Sequence, residues 1–251
     1  MGSHAKVRSQ NLRKLVKGWA SNGQRDCTTH VGAALTAPPD PRALSGPLVG
    51  VSFVAGVAGA LSLADSPYPR PGAEPADVRR YFQENPGAAR ISVAGQLISA
   101  ASLARFTASV AKLTARSGRG ALGLRAAALA GGGLAAASLA GSAMLSAALT
   151  GGPGSRDASA AKLHRLVFAA GGPAHGAGFG VLVGALGLAG LRTGELPRPL
   201  AIAGLFSAAA GVLSPLYFAW GPAAWLIPAG RFSGLVVCGV AGARLGRLGR
   251  R

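Results

Sequence analysis

Acidic residues are rare in this chain. Only eight of its 251 residues are Asp or Glu, charged residues of all kinds make up 14%, and hydrophobic residues make up 49%. The mean hydropathy is +0.36, and several uncharged runs are long enough to cross a bilayer. This composition excludes an ordinary soluble domain and is typical of an integral membrane protein.

Cysteine and catalytic motifs are also nearly absent. Cys27 and Cys238 lie far apart in the chain, so the sequence offers neither a disulfide framework nor a cysteine metal site. The glycines at 118, 120 and 123 spell GxGxxG, but they follow a basic loop rather than a strand, which excludes a dinucleotide site. The sequence predicts no catalytic residues, no metal and no cofactor.

The 26 basic residues give a formal net charge of +18. They lie mostly in the N-terminal tail and in short loops between apolar runs, without the interleaved aromatic residues of a nucleic-acid-binding segment. We therefore expect no nucleic-acid partner. The pattern instead indicates membrane topology and attraction to anionic headgroups of the inner leaflet.

Six apolar runs predict an all-α fold, a polytopic transmembrane helix bundle. The spans are expected at about 43–64, 91–111, 126–149, 166–191, 199–218 and 223–243. In an alternative with five spans, the last helix starts after Arg231 and leaves only 12 residues before Arg244, which are too few to cross a bilayer. Six spans are therefore favoured.

Residues 1–42 form a basic tail and linker ahead of the membrane domain, 43–251. Helical spacing of four apolar residues favours a short amphipathic helix on the inner leaflet, although a disordered basic tail fits equally well: Leu12, Leu15, Val16 and Trp19. A third alternative is a signal peptide, because Ser62 and Ala64 resemble a cleavage site.

Six spans place both termini on one side of the membrane. On that side lie 17 basic residues, against seven in the loops at about 65–90 and 151–165. The positive-inside rule therefore predicts cytoplasmic termini. The loop 65–90 lies outside, and in it Asp77 is expected to cap a short helix whose residues Val78, Tyr81 and Phe82 face the membrane.

Glycines recur every fourth residue in two spans. The fourth span has Gly172, Gly176, Gly180 and Gly184, and the sixth has Gly230, Gly234, Gly242 and Gly246 with Cys238 between them. Small residues let membrane helices approach closely. We expect the two ladders to be matched surfaces for packing within the chain, and a homodimer face is the alternative.

No acidic residue lies within a predicted span, which argues against proton- or cation-coupled transport. Apart from hydroxyl-bearing and aromatic residues, the polar side chains there are Gln96, Arg105, His175 and Arg231. Arg105 lies near the cytoplasmic end and is expected to snorkel. His175 and Arg231 each lie about 13 Å from the outer side.

His175 and Arg231 are therefore candidates to line one outward-facing polar cavity for an anionic headgroup or a small anion, with Gln96 as a third candidate ligand-binding residue. As alternatives, Arg231 snorkels toward Trp220 and Trp225, and His175 bonds a backbone carbonyl freed by Pro173.

Three segments resemble uncharacterised six-span integral membrane proteins of high-GC bacteria that are grouped under a domain of unknown function. These segments are PADVRRYFQENPGAARIS, LARFTASVAKLTAR and PAGRFSGLVVCGVAGARL. The likeness covers about residues 43 to 245 and leaves out the basic tail. It implies a place in the bacterial plasma membrane and no particular activity.

The sequence favours a non-enzymatic accessory component that binds lipids or a partner protein, either another membrane protein or a second copy of the chain. One alternative is a permease for a small anion or an apolar solute, which needs two similar halves or a wet central cavity. Another is a membrane enzyme, which needs polar side chains from different helices clustered at one depth.

Overall fold

A computed structural model describes residues 41–151 and 157–247. Within these ranges the backbone is helical apart from short connections, and no strand occurs in them. This confirms the predicted all-α class. The N-terminal tail, with its predicted helix and Cys27, lies outside the described residues.

Eight α-helices carry the fold of the described ranges. In chain order they are α1 Ser45–Leu63, α2 Pro75–Glu84, α3 Pro86–Ala115, α4 Ala121–Leu149, α5 Asp157–Ala169, α6 His175–Thr193, α7 Arg198–Leu213 and α8 Leu226–Arg247. A π-helical turn, Ala170–Ala174, joins α5 to α6, and two 3-10 segments, Ser214–Phe218 and Gly221–Trp225, connect α7 to α8. Proline stands in the first turn of α2, α3 and α7, where its missing N–H removes no helical bond.

Among the described residues, five helical segments are long and apolar enough to cross a membrane: Ser45–Leu63, Ala121–Leu149, Ser159–Thr193, Arg198–Phe218 and Gly221–Arg247. They overlap the first, third, fourth, fifth and sixth predicted spans. The predicted second span lies in α3, which is less apolar because it contains Gln96, Arg105 and several Ser and Thr residues. The alternative that starts the last helix after Arg231 is wrong, because α8 begins at Leu226.

The glycine ladder of α6 packs against α7. A Cβ added at Gly180 would lie 2.8 Å from the carbonyl oxygen of Ala208, and one at Gly176 would lie 2.6 Å from Ser214 Oγ. The direct counterpart of this ladder is therefore α7 rather than α8. The α8 helix meets α6 at Gly234, where an added Cβ would lie 2.5 Å from the ring of Phe179.

The other glycines of the α8 ladder contact α7 and α1. At its N-terminal end Gly230 faces α7, where an added Cβ would lie 2.6 Å from the backbone nitrogen of Gly211. At its C-terminal end Gly242 faces the start of α1, where an added Cβ would lie 2.5 Å from the carbonyl oxygen of Ala43. Both contacts lie within one chain, as expected for packing between its own helices.

Close glycine contacts complete a ring of helices in the order α1, α3, α4, α6, α7, α8. Gly56 of α1 meets Gly95 of α3, and Gly131 of α4 meets Gly178 of α6, in each case backbone to backbone. Thr107 of α3 lies against Gly132 of α4. Since α8 returns to α1, each helix of this ring has at least two close neighbours.

Serine hydroxyls bind carbonyls across several of these interfaces. Ser99 donates to Val49 O at 2.8 Å, joining α3 to α1, and Ser207 donates to Gly230 O at 2.8 Å, joining α7 to α8. Hydroxyl-to-backbone bonds of this kind satisfy polar groups that find no water in a bilayer.

Candidate ligand-binding site

The three predicted site residues lie in two places. His175 and Arg231 both lie at the π-helical turn Ala170–Ala174, whereas Gln96 lies in a cavity beneath α2. The structure therefore brings two of them together and separates the third.

His175 is buried between helices. Its side chain is 3% exposed, its Nδ1 lies 2.9 Å from Ala135 O of α4, and its ring stacks on Phe179 with centroids 5.4 Å apart. Because a carbonyl oxygen only accepts, Nδ1 carries the proton in this bond. A backbone carbonyl is thus the partner of His175, but it belongs to α4 and not to the turn around Pro173.

The side chain of Arg231 binds a backbone carbonyl oxygen of the π turn, that of Gly171. Pro173 has no backbone N–H to donate. The backbone N–H of His175 bonds Ala170 O and Gly172 O and leaves Gly171 O without a bond from His175. Arg231 Nη2 donates to Gly171 O, and its guanidinium carbon lies 5.0 Å from the centroid of the Phe53 ring.

These contacts place the guanidinium near the middle of α1, because Phe53 is the ninth residue of that helix. Arg231 therefore does not turn toward Trp220 and Trp225, whose side chains are exposed. Its Nε is buried and has no hydrogen-bond partner among the described residues. A carbonyl and an aromatic face together hold the cation in place of a carboxylate.

Gln96 lines the cavity that we call the α2 cavity. It has a volume of about 310 Å³ and lies where α1, α2 and α3 meet the C-terminal parts of α4 and α5. Gln96 Nε2 donates to Ser92 Oγ at 3.2 Å. The walls are mainly apolar, and the complete lining is Val57, Ala60, Leu61, Tyr68, Tyr81, Phe82, Ala88, Ala89, Ser92, Gln96, Ser146 and Val167.

The roof of this cavity is α2, whose apolar face turns inward. Val78, Tyr81 and Phe82 are at most 6% exposed and form one cluster with Val167 of α5. The expectation that these residues face the membrane is therefore wrong, because α5 and the wall of α3 cover them. The helix also begins at Pro75 without a side-chain cap, so Asp77 lies in its first turn instead of capping it.

Asn85 fixes the roof in position. Its side chain accepts a hydrogen bond from the Asp65 backbone N–H at 2.8 Å and donates to Ser66 Oγ at 3.1 Å and Tyr81 O at 3.0 Å. Asn85 is 3% exposed. It therefore ties the end of α2 to the loop that follows α1 and holds Tyr68 and Tyr81 over the same cavity.

A second, wider cavity of about 440 Å³ lies beside the π turn. Its walls are Leu145, Leu166, Ala169, Ala170, Pro173, Ala174, Pro215 and Phe218. None of these side chains is polar, so this cavity has no group that could orient a ligand. His175 and Arg231 are absent from the lining of both cavities, and their role in ligand binding stays a prediction.

At the other end of the bundle Glu195 joins three segments. Its carboxylate oxygens lie 3.2 Å from Arg116 Nη2, and its backbone carbonyl accepts a bond from Arg244 Nε at 2.9 Å. Burial raises the pKa of Glu195, and the guanidinium of Arg116 opposes that rise. This acidic residue is thus part of the packing between the α3–α4 loop, the α6–α7 loop and α8.

The sequence did not single out Tyr68, Ser92 or Ser146 of the α2 cavity. Tyr68 lies in an irregular proline-rich loop, and Ser92 and Ser146 resemble many other serines of the spans. The helical spacing of Val78, Tyr81 and Phe82 was a usable signal, since an apolar face at the end of a bundle can cover a cavity as well as face lipid.

Within residues 41–151 and 157–247, no three His, Cys, Asp or Glu side chains come together as metal ligands would. Compared with protein families, with curated proteins and with solved structures, the chain gives no significant match.

Proposed function

We propose that the chain is a six-span protein of the bacterial plasma membrane, with α3 as the additional span and with both termini in the cytoplasm. A helix of 30 residues is about 45 Å long, which exceeds the thickness of a bilayer core. The larger group of basic residues then faces the anionic headgroups of the inner leaflet.

The packing of α3 against α1 supports this topology. Along α3, the residues Ile91, Gly95, Ser99 and Phe106 meet Gly59, Gly56, Val49 and Gly46 of α1, in that order. The two helices are therefore antiparallel neighbours over nearly all of α1. If α1 crosses the membrane, α3 therefore crosses the membrane beside α1.

The role that the geometry supports best is non-enzymatic binding of a small amphiphile in the α2 cavity. The observation that carries this proposal is a mainly apolar cavity of about 310 Å³ with Gln96 and Ser92 on one wall, since small-molecule sites combine apolar walls with a few polar groups. The lining contains no His, Lys, Asp or Glu to act as a general base. A binding component therefore fits the site better than an enzyme does.

A photoreactive diazirine analogue of octanol tests this role on the full-length protein in maltoside micelles. We expect crosslinks on residues that line the α2 cavity, identified by mass spectrometry of peptides. Ala60→Phe fills the cavity and should reduce the crosslinking at least about fivefold. Ala58→Phe, on the exposed side of the same helix, is the matched control and should leave it unchanged. Equal crosslinking in the two variants would sink the proposed role.

A further inference from the structure

Three aromatic rings stand together on one side of the α2 cavity. The ring centroids are 5.2 Å apart for Tyr68 and Tyr81, 6.1 Å for Tyr68 and Phe82, and 5.4 Å for Tyr81 and Phe82, with interplanar angles between 78° and 86°. All three residues line the cavity. We call them the aromatic corner. The rings of each pair are arranged edge to face.

The cavity has no charged side chain in its lining. An anion placed there would lose its water and find no cation to replace it, which is costly in an apolar site. The faces of aromatic rings carry negative charge density and attract cations. The electrostatics of the lining therefore favour a cation over an anion.

The polar side chains of the lining are all neutral: Gln96, Ser92, Ser146, Tyr68 and Tyr81. A primary ammonium has three N–H donors and needs three acceptors gathered around it when it is buried. A quaternary ammonium has no donor and needs only apolar and aromatic contact, which is how aromatic cages recognise choline-like groups. The aromatic corner, in a lining that is mainly apolar, suits the second kind of group.

We infer that the α2 cavity takes an amphiphile with a quaternary ammonium head, which lies against Tyr68, Tyr81 and Phe82. This inference rests on the proposed binding role of the same cavity and adds the class of its ligand. Tyr68 is 48% exposed and marks the mouth of the cavity, while Tyr81 and Phe82 are at most 6% exposed and lie deeper. Leu61, also in the lining and 68% exposed, offers an alkyl chain a way out to the surrounding apolar phase.

Competition against the diazirine octanol probe tests the inference with three ligands of equal chain length. They are octyltrimethylammonium, octanol and octanoate, used at pH 8 in maltoside micelles that carry no charge and no ammonium group. We expect octyltrimethylammonium to displace the probe at concentrations about tenfold lower than octanoate, which corresponds to about 1.4 kcal/mol. Octanol should lie between the two.

Variants of Tyr68 assign the preference to the aromatic corner. Tyr68→Phe keeps the ring and should retain the preference, whereas Tyr68→Leu removes it and should reduce the preference to about threefold or less. Probe crosslinking in the cavity without any preference for the ammonium would overturn this inference and leave the binding role standing. Loss of cavity crosslinking in the unmodified protein would overturn the binding role itself.

Discussion

At the scale of single residues, the chain places a cation within its spans without a carboxylate beside it. Arg231 binds Gly171 O and lies over Phe53, and a cation at such depth otherwise costs at least about 2.5 kcal/mol. Its carbonyl partner exists because Pro173 widens the helix into a π turn. One proline in α5–α6 thus provides the acceptor for an arginine 58 residues later in the chain.

Glu195 gives the residue-scale prediction. Burial raises its pKa and Arg116 lowers it, so Arg116→Gln should raise the pKa of Glu195 further. The chain has three glutamates, Glu74, Glu84 and Glu195. Carbon NMR of protein labelled at glutamate carboxyls can therefore follow the titration of each one separately. Arg119→Gln removes an equal charge from the exposed side of the same loop and should change the pKa of Glu195 much less.

The pH dependence of stability follows from how tightly Glu195 binds its proton in the folded and unfolded states. The folded state binds the Glu195 proton more tightly than the unfolded chain, so the free energy of unfolding falls as the pH rises through the interval between the two pKa values. Arg116→Gln should raise the folded-state pKa of Glu195 and so widen the interval between the two pKa values. The free energy of unfolding should then fall by a larger amount across that interval. The same titration in both variants would contradict the assigned contact.

The sequence predicted that Arg231 lies within an apolar helix but not what it contacts. Arg231 is the sixth residue of α8, and its guanidinium lies over Phe53 near the middle of α1. Neither Gly171 nor Ala135 could be predicted as an acceptor, because each contact depends on which helices become neighbours. The sequence also did not show that Gln96 lies in a different site from His175 and Arg231, because that depends on how α2 folds over α3.

At the scale of helices, glycine periodicity predicted close packing but not which surfaces meet. The α6 ladder packs on α7, and the α8 ladder is shared among α7, α6 and α1. A four-residue step drifts around the helix by about 40° per step, so a long ladder reaches more than one neighbour. The glycine pattern of one helix therefore predicts a surface for close packing, but it does not predict which helix packs there.

Gly230→Ala tests the tightest contact between α7 and α8. The added Cβ would lie 2.6 Å from Gly211 N and 3.0 Å from its Cα, and backbone atoms cannot rotate away. We expect the free energy of unfolding to fall by about 1–3 kcal/mol, measured by circular dichroism during titration with SDS in mixed micelles.

Gly133→Ala is the matched control, because nothing lies within 4 Å of a Cβ at that position of α4. Alanine is the better helix former by about 1 kcal/mol, so this variant should be neutral or slightly more stable. Equal destabilisation by the two substitutions would show that close approach of α7 and α8 is not the cause.

At the scale of the whole molecule, the ring of helices explains why α3 is the least apolar of them. Its serines and threonines bond within the chain, as Ser99 does to Val49 and Thr107 does to Leu103. Polar groups that are satisfied in this way can lie within a bilayer. The low hydropathy of α3 is therefore compatible with the proposal that it is the additional span.

The topology decides whether the α2 cavity opens outside the cell, because α2 lies at one end of α3 and the α3–α4 loop at the other. Gln83 of α2 and Arg119 of that loop are both exposed. Single-cysteine variants Gln83→Cys and Arg119→Cys, made after Cys27→Ser and Cys238→Ser, report the two sides.

The six-span topology is tested most directly by the reaction of these two variants with a membrane-impermeant maleimide in intact bacterial cells and in opened cells. If α3 crosses the bilayer with both termini inside, Gln83→Cys reacts in intact cells and Arg119→Cys reacts only after the cells are opened. Reaction of both positions from the same side of the membrane would contradict it, because α3 would then not cross the bilayer.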